Sequence, residues 1–270
     1  MESHALGQRR SARGLRTIRR YYLDTSAQIA RRVGSTKTRA ELKAALQSGG
    51  HATSTHVLRE WNRICLGTCI TLLNEIRTAK DWTDVVDGMT KTYGRGSSRN
   101  WLITNLISEP DTTDLEEIEM RAEDFRRVRA GVLFKVGVDT IRDGTACQVA
   151  RRRPTSIGGT SSYRVTCRKE EDICDQPQFL AKHRNRALAA AHALEASERD
   201  PDKKMGKKTR LALQDHDEAS TKGAACYNGI GGDICIALEC AADETLLTTD
   251  KSFDLICPAI ERQHERVLTG

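Results

Sequence analysis

Two short apolar runs, one near each end of the chain, each stop on an aspartate. Arg20-Tyr21-Tyr22-Leu23-Asp24-Thr25-Ser26 is the first, and Thr245-Leu246-Leu247-Thr248-Thr249-Asp250 is the second. Each reads as a buried strand. If both belong to one parallel sheet, both carboxylates stand at its carboxyl edge, where open α/β sheets hold ligands. That constrains the fold more than any other feature, because the two ends of a 270-residue chain must then be neighbours in space.

The pattern between these runs favours the same class. Thr25 or Ser26 can cap a helix through Val33 that ends at Gly34, and Lys37–Leu46 continues helical. Thr53-Ser54-Thr55 caps a helix over 56–78, whose apolar positions Val57, Leu58, Trp61, Ile64, Cys65, Leu72 and Leu73 keep a helical period. Trp101–Ile107 and a charged stretch from Thr112 to Arg129 also read as helices, and Gly131–Val138 as a strand. Residues 143–177 turn rich in Gly, Arg, Pro, Ser and Thr, with a strand-like Ser162–Thr166, and read as the start of an insertion reaching about 224. Phe179–Ser197 is a further helix, and 199–224 reads as a lysine-rich loop. Gly229–Gly232 is a turn, Asp233 opens the helix Ile234–Ala242, and a last helix is expected from about Pro258, in a tail of 259–270. Strands alternating with helices predict a three-layer α/β/α domain with a central parallel sheet over residues 20–258.

Charge narrows the partners. The net charge of +6 is local: residues 9–20 hold six Arg and no acid. A basic arm over 1–19 (Arg9, Arg10, Arg13, Arg16 and Arg19), the run Arg151-Arg152-Arg153, and Lys207 and Lys208 within Lys203–Arg210 are candidate phosphate contacts. Such runs bind nucleic-acid backbones through counterion release; a solvated surface is the plainer reading of any one of them. No run reaches the roughly 18 apolar residues of a membrane helix, and no signal-peptide core follows the basic start. A cytoplasmic protein is expected. Nine Cys, several among apolar neighbours (Cys65, Cys69, Cys235, Cys240), read as buried thiols and not a disulfide framework.

Besides Asp24 and Asp250, Glu60 and Asp233 lie on helices that can reach the same sheet edge. Three or four carboxylates without Cys or His ligands suit Mg²⁺ or Mn²⁺. On a basic protein the matching chemistry is phosphodiester hydrolysis. Taken singly, Asp24 and Asp233 read as helix caps, Glu60 as an ion-pair partner of Arg59 or Arg63, and Asp250 as a turn residue. The ordered set lifts the functional reading. Thr25, Ser26 and Thr249 can donate to these carboxylates or to the phosphate, and Asp254 is a spare acid beside them.

In order, LDTS (23–26), STHVLREW (54–61), GGDICIALECA (231–241) and LLTTDKSF (246–253) resemble the PIN domain, the fold of many Mg²⁺- or Mn²⁺-dependent ribonucleases, including toxin–antitoxin toxins. The resemblance implies an endoribonuclease, with RNA expected ahead of DNA, and Asp24, Glu60, Asp233 and Asp250 as metal-binding and catalytic acids. The chain is about twice the usual length of that family, with the extra residues between Glu60 and Asp233. Two alternatives accompany it: a non-catalytic nucleic-acid-binding or assembly subunit of the same fold, and a toxin-type ribonuclease masked by an inhibitory protein partner. Homo-oligomerisation is left open. Cys147, Cys167, Cys174 and His183 form a separate candidate, a structural Zn²⁺ across 147–183; their spacing lacks a close CxxC pair, so free cysteines are the plainer reading.

Overall fold

Alternation along the first strand sets up both sides of the domain. The structure, a computed structural model, describes residues 19–47, 50–94, 112–146, 155–157, 160–162, 175–214 and 232–268. In β1 (Arg20–Leu23), successive side chains face opposite ways. Tyr21 and Leu23 join a cluster with Ala27, Ala30, Leu42 and Leu247. Tyr22 joins the larger cluster with Trp61, Leu72 and Leu246. A strand buried on both faces needs helices on both, which is the setting of parallel sheets.

Those helices follow in turn. α1 (Thr25–Val33) and α2 (Thr36–Leu46) supply Ala27, Ala30 and Leu42 to the first face. After β2 (His51–Ser54), α3 (Thr55–Ile76) and α4 (Trp82–Tyr93) enter the second face. α5 (Leu115–Asp124) passes through a π turn, Phe125–Arg129, into α6 (Ala130–Lys135). The Trp61 indole N–H donates to the Ala130 carbonyl at 3.0 Å, tying this segment to α3. Next come β3 (Thr140–Arg142), a small antiparallel hairpin of β4 (Thr155–Ile157) and β5 (Thr160–Ser162), α7 (Gln176–Lys182), α8 (Arg184–Glu195) and α9 (Asp200–Gln214). The chain continues with α10 (Gly232–Glu239), β6 (Glu244–Thr248), α11 (Phe253–Ala259) and β7 (Gln263–Arg266).

The five-stranded sheet is parallel throughout, in the order β3-β2-β1-β6-β7. The chain builds outward from β1 to β3, then restarts beside β1 with β6. The order therefore reverses between β1 and β6, and ligands bind outside the strand ends at such a switch. The expected α/β class with a central parallel sheet is what the chain forms.

Several local expectations are overturned. Gly131–Val138 is not a strand: Ala130 and Phe134, one helical turn apart, are buried while Val132 and Val136 face solvent. Helical packing outweighs local strand preference there. Residues 200–214 are not a loop but α9, with Asp202, Gly206, Thr209 and Leu213 on its buried side. This stripe holds too few apolar residues to show in the sequence. The last helix begins at Phe253 and ends at Ala259; the expected terminal helix is replaced by β7, whose Gln263-His264-Glu265-Arg266 is as polar as edge strands tend to be. The helix expected over 179–197 breaks at His183 into α7 and α8. Trp101–Ile107 and most of the strand-like Ser162–Thr166 lie outside the described residues.

A buried polar knot closes one side of the sheet. Glu239 accepts from the Tyr22 hydroxyl at 3.2 Å and from the Gly144 N–H at 3.0 Å. Arg142 donates to the Glu239 carbonyl at 2.7 Å, pairs with Glu244, and lies 5.5 Å over the Tyr22 ring. Burial pushes the Glu239 carboxyl from 4.5 up to about 7, against the pull of hydrogen bonds from Ser54, Gly144 and Tyr22. A carboxyl raised on folding stabilises below its unfolded pKa, and that contribution is lost as pH rises through the folded one. Glu239→Gln should therefore lessen the fall in melting temperature between about pH 4.5 and 7. Thermal melts across that range would reject this if both proteins lost stability equally.

Candidate metal centre

The site begins with the cap of α1. Asp24 Oδ1 accepts from the Ala27 N–H at 2.7 Å, so Asp24 itself is the N-cap, in place of the expected Thr25 or Ser26. Ser26 Oγ reaches both carboxylate oxygens, at 3.0 and 2.9 Å, and Thr248 Oγ1 donates to Oδ2 at 2.9 Å. Only 3% of Asp24 is exposed. Burial raises its carboxyl to about 7, although every one of these hydrogen bonds pulls the other way.

The same hydroxyls stitch β1 to β6 across the switch. The Thr249 N–H donates to Ser26 Oγ at 2.8 Å, and the Asp250 N–H to Thr248 Oγ1 at 2.9 Å. Asp250 Oδ1 in turn accepts from the N–H and the hydroxyl of Ser252, both at 2.9 Å. Asp24 and Asp250 thus flank the reversal point, each oriented by neutral donors.

Two helices add the other expected acids. Glu60, in the second turn of α3, is half-buried, and its Oε2 accepts from Thr25 Oγ1 at 2.6 Å. Asp233, in the first turn of α10, accepts no hydrogen bond from a described residue. Its carboxyl is raised well above the ordinary range, by burial first and then by the charges of Glu60, Asp250, Asp24 and Asp202.

Asp202 is the member the sequence reading missed. It opens α9 inside a stretch read as a solvated lysine-rich loop, yet it is 1% exposed. It accepts from Ser197 Oγ at 3.0 Å and Ser252 Oγ at 3.2 Å, and pairs with Arg199 at 3.3 Å. Ser252 therefore bridges Asp202 to Asp250. The available signal was Asp200-Pro201-Asp202, acids and a proline at a helix start.

The remaining candidates separate. Ser26 and Thr249 sit in the network above. Asp254 pairs instead with Arg266 at 2.9 Å and His264 at 3.1 Å, serving the contact between α11 and β7. Cys147, Cys167 and Cys174 lie outside the described residues. His183 packs on Phe179 at 4.7 Å between ring centres, and burial with Lys182, Arg186 and Arg262 nearby lowers its imidazole pKa. Arg9, Arg10, Arg13, Arg16 and Arg151–Arg153 are likewise outside; Arg19 pairs with Glu265 at 3.7 Å, and Lys207 and Lys208 are exposed on α9. Cys65, Cys69, Cys235 and Cys240 are buried thiols outside any disulfide.

Among the described residues, no three His, Cys, Asp or Glu side chains are placed to hold one ion together. Asp24, Asp250, Asp202 and Glu60 each accept a hydrogen bond from Ser or Thr. The donor set is still all oxygen, and Mg²⁺ keeps several waters and takes only one or two protein carboxylates. A crowd of like charges around a carboxylate with no described hydrogen-bond donor fits such a cation. Among the described residues, no helix is long and apolar enough to cross a membrane. No protein-family model, curated protein or solved structure matches the chain.

Proposed function

We propose that this chain is a metal-dependent phosphodiesterase with a three-layer, PIN-like fold, acting as an endoribonuclease on Mg²⁺ or Mn²⁺. One observation carries the reading: Asp24, Glu60, Asp202 and Asp250 bear electrostatically on Asp233 at the switch point of a parallel sheet. A phosphate-binding scaffold gains nothing from gathering negative charge where its ligand must approach, since like charges repel. The cluster makes sense when a cation stands between it and the phosphate.

Asp24, Asp233 and Asp250 would hold the ion directly or through water. When bound, it would supply an acidified water and neutralise charge on the scissile phosphate. Glu60 would be a further ligand or would orient the attacking water. Ser26, Thr248 and Ser252 fix the carboxylate orientations, the supporting shell such sites depend on. Asp202 fixes Ser252 and through it Asp250.

The test is cleavage of end-labelled single-stranded RNA and single-stranded DNA by pure protein, with Mn²⁺ or with EDTA, beside Asp250→Asn. The expected result is cutting of RNA that needs metal and falls at least about 100-fold in the variant, the scale lost when one preorganised electrostatic group leaves a reacting site. Cutting that survives EDTA, or that Asp250→Asn leaves unchanged, would reject the reading.

A further inference from the structure

α9 has two dissimilar sides. Its buried side delivers Asp202 to the acidic cluster. Its exposed side carries Lys203, Lys204, Lys207 and Lys208, with Asp200 as the one exposed acid among its described side chains. At 3.6 residues per turn, the four lysines fall about 100–240° around the helix from Asp202. They form two pairs separated by one turn, about 5.4 Å along the axis. The first pair follows Asp202 directly in the chain. A cationic ridge thus runs along the side of the helix turned away from Asp202, its first pair one and two residues past that carboxylate in the chain.

The helix is also held firmly. Gly206 lets it approach α8 so closely that a Cβ there would lie 2.5 Å from the Ala191 carbonyl oxygen. Arg210 pairs with Glu195 of α8 at 2.7 Å. The position of the ridge relative to the cluster is therefore set by packing.

We infer that the exposed face of α9 is the track for the substrate strand: its lysines take the backbone phosphates flanking the scissile one. The inference rests on the phosphodiesterase reading above and deepens it by assigning a strand path. Charge complementarity selects the occupant. The reacting phosphate must meet the acids, and the next phosphates along the same polymer need cations, which Lys203 and Lys204 offer at the start of the helix that bears Asp202. Contacts of this kind hold the backbone and read no bases.

The experiment measures binding apart from cleavage. A fluorescein-labelled 20-nucleotide single-stranded RNA of mixed sequence is titrated with Asp250→Asn protein from 50 to 300 mM KCl. It is repeated with Lys203→Gln, Lys204→Gln, Lys207→Gln and Lys208→Gln added together. The log–log salt slope should shrink by about 2–3, since each phosphate contact on a single strand contributes about 0.7. A matched variant, Lys37→Gln with Lys43→Gln, Lys80→Gln and Lys91→Gln, removes four exposed charges elsewhere. It should leave the slope near that of the parent. An unchanged slope in the α9 variant, or an equal loss in the matched one, overturns the track. Either result leaves the cleavage test of the acidic site standing, and an inert acidic site would leave this binding readout intact.

Discussion

Asp233→Asn is expected to abolish cleavage and, in the absence of metal, to raise the melting temperature. Both effects have one cause. Folding presses this carboxylate against Glu60, Asp250, Asp24 and Asp202 and buries it, so its charged form costs stability at neutral pH. Asparagine keeps the shape and removes the charge. The gain should amount to several degrees, at about 2–4 °C per kcal/mol for a chain of this size. Asp24→Asn should behave alike, because asparagine is also a good N-cap and can keep the bond from the Ala27 N–H. Its effect should fade as pH falls below about 7, where the native Asp24 carboxyl already holds a proton. Mn²⁺ should reverse the ranking. An ion that binds only the folded state stabilises it by mass action, so wild type should gain melting temperature with added Mn²⁺ and Asp233→Asn should not. A wild type insensitive to Mn²⁺, beside a variant no more stable without it, would remove the electrostatic basis of the site.

The second large effect lies away from the acids. Gly206→Leu should both destabilise the protein and cripple cleavage while every carboxylate remains in the sequence. A Cβ at this position would stand 2.5 Å from the Ala191 carbonyl oxygen and 2.8 Å from the Glu195 nitrogen. Both are backbone atoms of a helix whose Ala187, Ala190, Ala191 and Leu194 are buried, so α8 cannot give way. α9 must move instead, and Asp202 leaves Ser252. Overpacking of this kind costs about 1–3 kcal/mol. Urea unfolding would read the first consequence and kcat/KM the second. Gly131→Leu is the control: a Cβ there meets nothing within 4 Å, and leucine favours helix over glycine. If Gly206→Leu cleaves at the wild-type rate, Asp202 has no part in holding Asp250.

What could be read from the sequence follows from burial. β1 and β6 are covered on both faces, so their runs are densely apolar and their terminal aspartates stand out. β2 is just as central and fully buried, yet His51-Ala52-Thr53-Ser54 contains no apolar run, because neighbouring backbone and hydroxyl bonds absorb its polarity. α9 was illegible for the opposite reason: its lysines dominate the composition, while its buried side needs only a glycine, a threonine and a carboxylate. Asp24, Glu60 and Asp250 stand at one edge with the hydroxyls of Thr25 and Thr248, although no three acids among the described residues are placed to hold one ion. Asp200-Pro201-Asp202 signals a helix start, but the place of Asp202 beside Asp250 depends on the close approach of α8 and α9 at a single glycine. The hydroxyl network was half visible. Thr25, Ser26 and Thr249 were expected near the carboxylates, whereas Thr248 and Ser252 take their roles only from strand register and helix caps.

The pairing of β1 with β6 also has a temporal consequence. Asp24 and Thr248 are 224 residues apart in sequence, yet they share a hydrogen bond. β6 sits between β1 and β7, so an interior strand of the sheet is filled by a segment synthesised long after β1. Contacts of such long range form late, after the loop between them closes. A nascent chain that stops short of Glu244 lacks both β6 and Asp250. The proposed acidic site is therefore incomplete until β6 has been made and pairs with β1.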